Sequence, residues 1–176
     1  MIRVLFSSSL CVAALAFATP AMADAANLLG VFKNWTAYST GSGSSMTCYA
    51  MSKPRAVQPR AAKRADIYLM LSDWPGRKIK AEPEIVPGYD YKLTAPVSLG
   101  IGGDKFEFFA RNDGKAGSAW LRNLNDSAKL NDALGSGVSA VAIGTSAKGT
   151  KTVDTYSLAG LNEALAKAHA VCNMGS

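Results

Sequence analysis

Residues 151–172, KTVDTYSLAGLNEALAKAHAVC, predict a strand that turns into a helix, and this transition decides the fold. If the helix begins after Ser157, apolar residues recur at intervals of three and four, which places them on one helix face. The members of this stripe are Leu158, Leu161, Leu165, Ala168 and Cys172. The sequence therefore predicts a C-terminal helix over residues 158–172 whose apolar face packs on a sheet. A cysteine at the end of such a stripe can be a core residue, a nucleophile, a metal ligand or half of a disulfide.

The first 23 residues have the three parts of a secretory signal peptide. Arg3 supplies a positive start, residues 10–18 form an apolar run, and Ala-Met-Ala at positions 21–23 forms a small-residue cleavage site. The apolar run is too short to span a bilayer, which takes about 20 residues. Leu10 precedes Cys11 where a lipid-attachment site needs a small residue, and this disfavours a lipid anchor. We predict cleavage after Ala23 and an exported protein, periplasmic or secreted, with residues 24–176 as one domain.

Loss of the signal peptide leaves two cysteines, Cys48 and Cys172. In an oxidising compartment an isolated pair is most simply a disulfide, and we predict this bond. A metal site is disfavoured because the chain has one histidine and no CxxC spacing. His169 is the one base close in sequence that could activate a thiol, and a catalytic role for this cysteine is not favoured.

Strand patterns separated by turn signals run through the rest of the chain. Residues 79–93 are predicted as an edge strand with a loop, because Pro83 and Pro87 interrupt them. A short helix is predicted near residues 126–134, where Leu130 and Leu134 lie one turn apart. The clearest hairpin joins 97–101 to 105–111 through Gly102-Gly103. Further strands are predicted over 31–39, 46–52, 67–74, 138–144 and 150–156, with a short one ending at Leu121. This spacing predicts a mainly β protein, an antiparallel sandwich or barrel with peripheral helices.

No group of residues predicts catalysis. Boundary packing explains His169 better than a hydrolase role, since no G-x-S-x-G motif is present. Glu82, Glu84 and Asp90 are predicted in solvated loops, because a glycosidase pair needs one buried carboxyl with a raised pKa. The glycines of residues 100–103 are explained by a hairpin turn rather than by a phosphate loop. We predict no catalytic, metal-binding or cofactor-binding residues, and therefore no enzyme.

Residues 53–64 are the most unusual segment, with five cations, no acidic residue and two prolines. The whole chain has a formal net charge of +6, so this segment accounts for most of its excess charge. A basic hairpin tip held extended by Pro54 and Pro59 can bind an anionic polymer, whereas the alternative is a solvated loop that confers solubility. The candidate binding residues are Lys53, Arg55, Arg60, Lys63 and Arg64.

The three tryptophans allow two interpretations. Trp35, Trp74 and Trp120 can form a platform on which sugars stack, or they can belong to the core or rim of the sandwich. The core interpretation is favoured, because large aromatic side chains contribute most to core burial.

Four segments carry a resemblance to the bacterial invasion-associated locus B proteins. They are GVFKNWTAYS, SMTCYAMS, LTAPVSLGIGGDKFEFFARNDG and GTSAKGTKTVDTYSLAGLNEAL. The resemblance implies an exported β-sandwich of immunoglobulin-like type, in a family named for a member linked to invasion of host cells. It supplies no catalytic residues. Better-known members have a cysteine shortly after the first-strand tryptophan and a pair near mid-chain. Here residues 36–39 and 111–125 contain none, so the Cys48–Cys172 bond is inferred from this chain alone.

Together these observations predict an exported, non-enzymatic envelope or secreted protein of the invasion-associated locus B type. Its expected partner is an anionic envelope polymer or another envelope or host protein. Sequence-specific nucleic-acid binding is disfavoured by export and by the lack of a reading module, and no transmembrane segment is expected. Two alternatives remain, a periplasmic hydrolase-like enzyme and a structural or stress-protective periplasmic module.

Overall fold

The computed structural model describes residues 25–114 and 116–175. The predicted signal peptide and its cleavage after Ala23 lie outside the described residues, so they stay predictions, as does the domain boundary at residue 24. No helix within the described ranges has the length and apolar character needed to cross a membrane.

Eleven strands, two α-helices and three single-turn 3-10 helices make up the regular structure of the described residues, and all strands lie in one sheet. The strands are β1 Asn27–Phe32, β2 Trp35–Thr40, β3 Thr47–Ser52, β4 Ala56–Gln58, β5 Tyr68–Trp74, β6 Ile79–Val86, β7 Val97–Ile101, β8 Asp104–Asn112, β9 Gly117–Leu121, β10 Ser139–Thr145 and β11 Lys151–Ser157. The helices are α1 Ser127–Ser136 and α2 Leu161–Val171.

The strand order is β1-β2-β3-β5-β6-β9-β8-β7-β10-β11-β4, and every neighbouring pair is antiparallel. Strands from the two ends of this order share one core: the indole Nε1 of Trp35 on β2 donates to the carbonyl oxygen of Ser157 on β11 at 2.9 Å. The largest buried side chains come from strands along the whole order and include Trp35, Leu69, Leu71, Ile85, Leu99, Phe108 and Tyr156. The predicted fold class, an antiparallel immunoglobulin-like β-sandwich with two helices, is confirmed as a mainly antiparallel β-sandwich.

The hairpin of β7 and β8 forms as predicted. Gly102 has φ of +57° in the turn, a left-handed conformation that glycine adopts without steric cost. Phe106 and Phe108 are buried, whereas Lys105 and Glu107 are exposed on the other face. The alternation of two residues per repeat therefore predicts both the strand and its buried side.

Two strand predictions need correction. Residues 31–39 form the hairpin of β1 and β2 rather than one strand, because Lys33 adopts a left-handed conformation with φ of +51° at the turn. Residues 79–86 are not at an edge, since β6 lies between β5 and β9. Proline is tolerated there because β9 pairs with β6 at Glu84 and Ile85 and not at Pro83, so no bond to β9 is lost.

The C-terminal helix starts later than the predicted residue 158. Strand β11 continues through Ser157, where we expected the helix to begin, and α2 begins only after Gly160, which has φ of +96°. A Cβ at position 160 would overlap the carbonyl oxygen of Phe32, so the close approach of this turn to β1 requires glycine. The helix packs on β1, β2 and β3 through buried Leu161, Ala164 and Ala168.

The predicted bond between Cys48 and Cys172 is present, with the two Cα atoms 5.9 Å apart. It joins the end of α2 to β3 across 124 positions of sequence. Both cysteines are buried and pack with Ala168, which lies one helical turn before Cys172. The cysteine that ends the apolar stripe is therefore half of a disulfide.

Candidate functional site

The basic segment is attached to the sheet and is not a free hairpin tip. Its residues Ala56–Gln58 form β4, which pairs with Val153, Asp154 and Thr155 of β11 at the end of the sheet. The backbone N–H of Arg55 also donates to the carbonyl oxygen of Thr155 at 2.8 Å. The segment therefore presents its cations along an edge of the sandwich.

Arg64 must be removed from the predicted set of exposed cations. Its guanidinium Nη1 and Nη2 donate to the two carboxylate oxygens of Asp154 at 2.8 Å and 2.6 Å. The side chains are only 4% and 3% exposed, so this is a buried, bidentate ion pair. The hydrogen bonds to Asp154 raise the pKa of Arg64, which keeps the guanidinium charged. A pair enclosed in this way cannot reach a partner, and its role is to fix the end of the segment.

The other four cations are exposed. Lys53 lies 3.3 Å from Asp66, and the side chains of this pair are 68% and 71% exposed. Such an exposed pair contributes roughly 0–1 kcal/mol and can exchange for another anion. Within the described part of the chain, Arg55, Arg60 and Lys63 form no salt bridge. These three cations are the ones best placed to meet an anionic partner.

Tyrosines surround the buried carboxylate of Asp154. The hydroxyl of Tyr89 lies 2.6 Å from Thr152 Oγ1, whereas the hydroxyl of Tyr156 is buried with no hydrogen-bond partner among the described residues. Burial raises the pKa of Tyr89, Tyr91 and Tyr156, so all three remain neutral phenols at physiological pH. This cluster is an interior support for the basic segment.

A second buried carboxylate holds His169. The imidazole Nδ1 of His169 lies 2.6 Å from Oδ2 of Asp73, and the other oxygen of Asp73 accepts the backbone N–H of Ala81 at 2.9 Å. The pair resembles two members of a catalytic triad, which also needs a nucleophile. The space beside this histidine is lined by Asn162, Leu165, Ala166, Ala170, Asn173 and Gly175, which include no serine, threonine or cysteine. The contact with Asp73 was missed from the sequence, because the two residues are 96 positions apart.

The tryptophans occupy two environments. Trp35 is a core residue, in agreement with the favoured interpretation. Trp74 and Trp120 are half-buried and line a groove of about 790 Å³ on the outer side of the sheet, together with Phe109. The ring centroids of Phe109 and Trp120 are 5.8 Å apart at an interplanar angle of 35°. Trp74 and Trp120 therefore lie outside the core, and for these two residues the rim and platform interpretations both stay open.

The acidic residues predicted in solvated loops are partly in strands. Glu82 and Glu84 belong to β6, and both are half-buried at the groove. Burial raises the pKa of Glu84, and a hydrogen bond from Ser118 opposes this in part. Asp90 lies outside the strands, and its backbone oxygen accepts the N–H of Ala147 at 2.7 Å. Sequence alone could not show the environment of Glu84, because Ser118 comes from a different strand.

Comparison with known proteins gives one informative likeness. No protein-family model matches the sequence, and no curated protein matches it. The solved structure of invasion associated protein B from Bartonella henselae matches with a TM-score of 0.54 and 16% sequence identity. The match covers 82% of this chain and 97% of that protein. At this identity the likeness concerns the fold, and at that level it confirms the resemblance drawn from the sequence: the chain has the fold of invasion associated protein B.

Proposed function

We propose that the chain is an exported, non-enzymatic protein that binds anionic surface polymers through the cations of residues 53–63. The observation that carries the proposal is the exposure of Arg55, Arg60 and Lys63 on a segment whose two ends are fixed. Lys53 belongs to the same surface, because its exposed pair with Asp66 can exchange for a polymer anion.

Fixed ends favour binding because less chain entropy is lost when the partner arrives. Strand β4 is hydrogen-bonded to β11 at the start of the segment. At its end Arg64 is held by Asp154, and the backbone N–H of Ala65 donates to the carbonyl oxygen of Gly88 at 3.0 Å. Arg60 and Lys63 lie between these two anchors, and Arg55 lies directly before β4, where its own backbone N–H is bonded to Thr155.

The expected affinity of a single segment is weak. Each exposed ion pair contributes about 0.2–1 kcal/mol, so four pairs give a dissociation constant on the order of millimolar or weaker. A polymer with repeated charges raises the effective affinity, because many sites lie on one chain. This favours a polyanion over a small anion as the partner.

Two observations support the remaining parts of the proposal. The Cys48–Cys172 bond is compatible with an oxidising compartment, where exported proteins fold. The space beside the Asp73–His169 pair contains no nucleophilic side chain among the described residues, which favours a binding protein over the hydrolase alternative.

The test is retention on heparin beads at low salt. The variant Arg55→Glu/Arg60→Glu/Lys63→Glu should elute at a clearly lower salt concentration than the wild type, because the binding cations are reversed. A matched control reverses three exposed lysines elsewhere, Lys92, Lys105 and Lys148, and changes the net charge equally. The control should elute close to the wild type. An equal drop in elution salt for both variants would show a general charge effect. Unchanged retention of the Arg55→Glu/Arg60→Glu/Lys63→Glu variant would contradict the proposal.

A further inference from the structure

The groove beside Trp120 lies on the face of the sheet opposite the core. On β6, half-buried Glu82 and Glu84 alternate with the buried residues Ala81, Pro83 and Ile85. Trp120 likewise lies between two buried residues of β9. Because successive side chains of a strand point to opposite faces, these half-buried residues all project outward. Their strands, with β5 and β8, form the floor of the groove.

This outer face is unusually apolar for a surface in water. Trp74, Trp120 and Phe109 line it, and Leu124 at its rim is 75% exposed. A concave surface with several aromatic side chains and a few polar groups is the usual form of a ligand site. The described residues therefore leave a site-sized aromatic surface uncovered.

Charged groups of both signs surround the aromatic rings. The guanidinium of Arg77 lies 5.4 Å from the ring centroid of Trp74, and that of Arg111 lies 5.6 Å from Phe109. Glu82 and Glu84 add hydrogen-bond acceptors. The lining contains four basic side chains and two acidic ones, so the groove favours an anionic ligand.

One polar atom of the lining is without a partner. The indole Nε1 of Trp74 is buried and makes no hydrogen bond within the described residues. A buried donor without an acceptor is costly, and such atoms in native proteins call for an explanation. The atom is enclosed by protein, so it is a local cost of this conformation and is not a contact that the groove offers to a ligand.

We propose that this groove binds a segment of a saccharide chain that carries carboxylate groups. A sugar ring has an apolar face that can lie on an indole and a rim of hydroxyls that needs both donors and acceptors. Trp120 provides the face, the two glutamates accept from hydroxyls, and Arg111 and Arg77 bind the carboxylates, Arg77 from its position over the Trp74 ring.

An apolar peptide or lipid chain fits this groove less well. It would cover the glutamates and guanidinium groups without hydrogen-bonding to them, and burial of unpaired polar groups opposes binding. A simple polyanion would match the cations but would leave the aromatic faces unused. The groove shares no residue with the segment 53–63, so this inference does not depend on the proposed function.

In the experiment, the protein is titrated with acidic hexasaccharides of galacturonate, mannuronate and hyaluronan. Calorimetry and tryptophan fluorescence measure the binding. At least one should bind and change the fluorescence, because two of the three tryptophans line the groove. Trp120→Ala should weaken this binding about tenfold, the upper end for the loss of one aromatic contact. Arg111→Glu changes an exposed residue and should also weaken binding without affecting the fold.

Three controls separate the alternatives. The Arg55→Glu/Arg60→Glu/Lys63→Glu variant should bind the hexasaccharide like the wild type, which separates this site from the basic segment. Neutral cellohexaose and poly-L-glutamate should bind more weakly than the acidic sugar. The inference is overturned if none of the three acidic sugars binds, or if both groove variants bind unchanged. Equal binding of poly-L-glutamate, or dimerisation that Trp120→Ala abolishes, would overturn it as well.

Discussion

His169 and Asp73 join the C-terminal helix to the sheet beside the disulfide, with 2.6 Å between the imidazole Nδ1 and the carboxylate Oδ2. His169 lies one helical turn before Cys172, and Asp73 is directly opposite Cys48 in the pairing of β5 with β3. The helix is therefore linked to the sheet twice, to β5 by a polar contact and to β3 by a covalent bond.

The polar link predicts a measurable loss of stability. His169→Ala should lower the free energy of unfolding by about 1–3 kcal/mol, because Asp73 is 1% exposed and loses one of its two partners. Lys167→Ala on the exposed side of the same helix is the control and should change stability by less than about 0.5 kcal/mol. Urea unfolding measures both. Retention on heparin should be unchanged in His169→Ala, and its loss would instead favour a functional role for the imidazole.

The covalent link predicts a larger loss. Cys48→Ala/Cys172→Ala should be less stable by up to about 5 kcal/mol, since the bond closes a loop of more than 100 residues. Urea unfolding of both proteins, with and without a reducing agent, measures the contribution of the bond to stability by mutation and by reduction. Reduction should destabilise the wild type by a similar amount and leave the double variant unchanged. A wild type whose stability is insensitive to reduction would refute the structural role of the bond.

Local patterns predicted most of the fold because the pleat and the helix repeat are local properties. The hairpin of β7 and β8 and the stripe containing Leu161 and Ala168 follow from spacings of two, three and four residues. The start of α2 was misplaced because it depends on a close approach of Gly160 to Phe32, about 130 positions earlier in the chain. The interior position of β6 depends likewise on pairing with β9, which no local pattern around Pro83 reveals.

The candidate sites were harder to predict because their contacts are distant in sequence. Arg64 belongs to a run of cations, yet its partner Asp154 is 90 positions away and buries it. The groove needs Trp74 and Trp120 from different strands on one outward face. Composition indicates that such residues exist, whereas only the strand order shows which of them meet.

The buried ion pair gives a third prediction. Arg64→Ala should cost about 3–5 kcal/mol, because it leaves the carboxylate of Asp154 buried without its partner. Arg64→Met/Asp154→Leu removes both charges and should recover most of this loss, since apolar replacements of buried pairs are often neutral. Arg60→Ala, which changes an exposed cation, is the control and should be close to the wild type. A double variant as unstable as Arg64→Ala would show that the pair is required for more than charge compensation.

The buried tyrosines give a prediction about alkaline pH. Burial raises the pKa of Tyr89, Tyr91 and Tyr156 above the ordinary value of about 10 that applies in the unfolded chain. The unfolded state therefore releases these protons at a lower pH than the folded state does. Their contribution to stability is complete below about pH 10 and is lost as the pH rises toward the folded pKa values. Above about pH 10, each such tyrosine makes the free energy of unfolding fall by up to about 1.4 kcal/mol for every pH unit.

Two phenylalanine variants test the roles of the tyrosine hydroxyls in stability. Tyr156→Phe removes a hydroxyl without a hydrogen-bond partner among the described residues, so stability at pH 8 should be unchanged or higher. Tyr89→Phe breaks the 2.6 Å hydrogen bond with Thr152 and should cost about 1 kcal/mol at the same pH. Above about pH 10 the stability of Tyr156→Phe should fall less steeply than that of the wild type, because one raised pKa is gone. Urea unfolding at a series of pH values measures the slopes. Parallel curves for the wild type and Tyr156→Phe would contradict the assignment of this tyrosine to the alkaline loss.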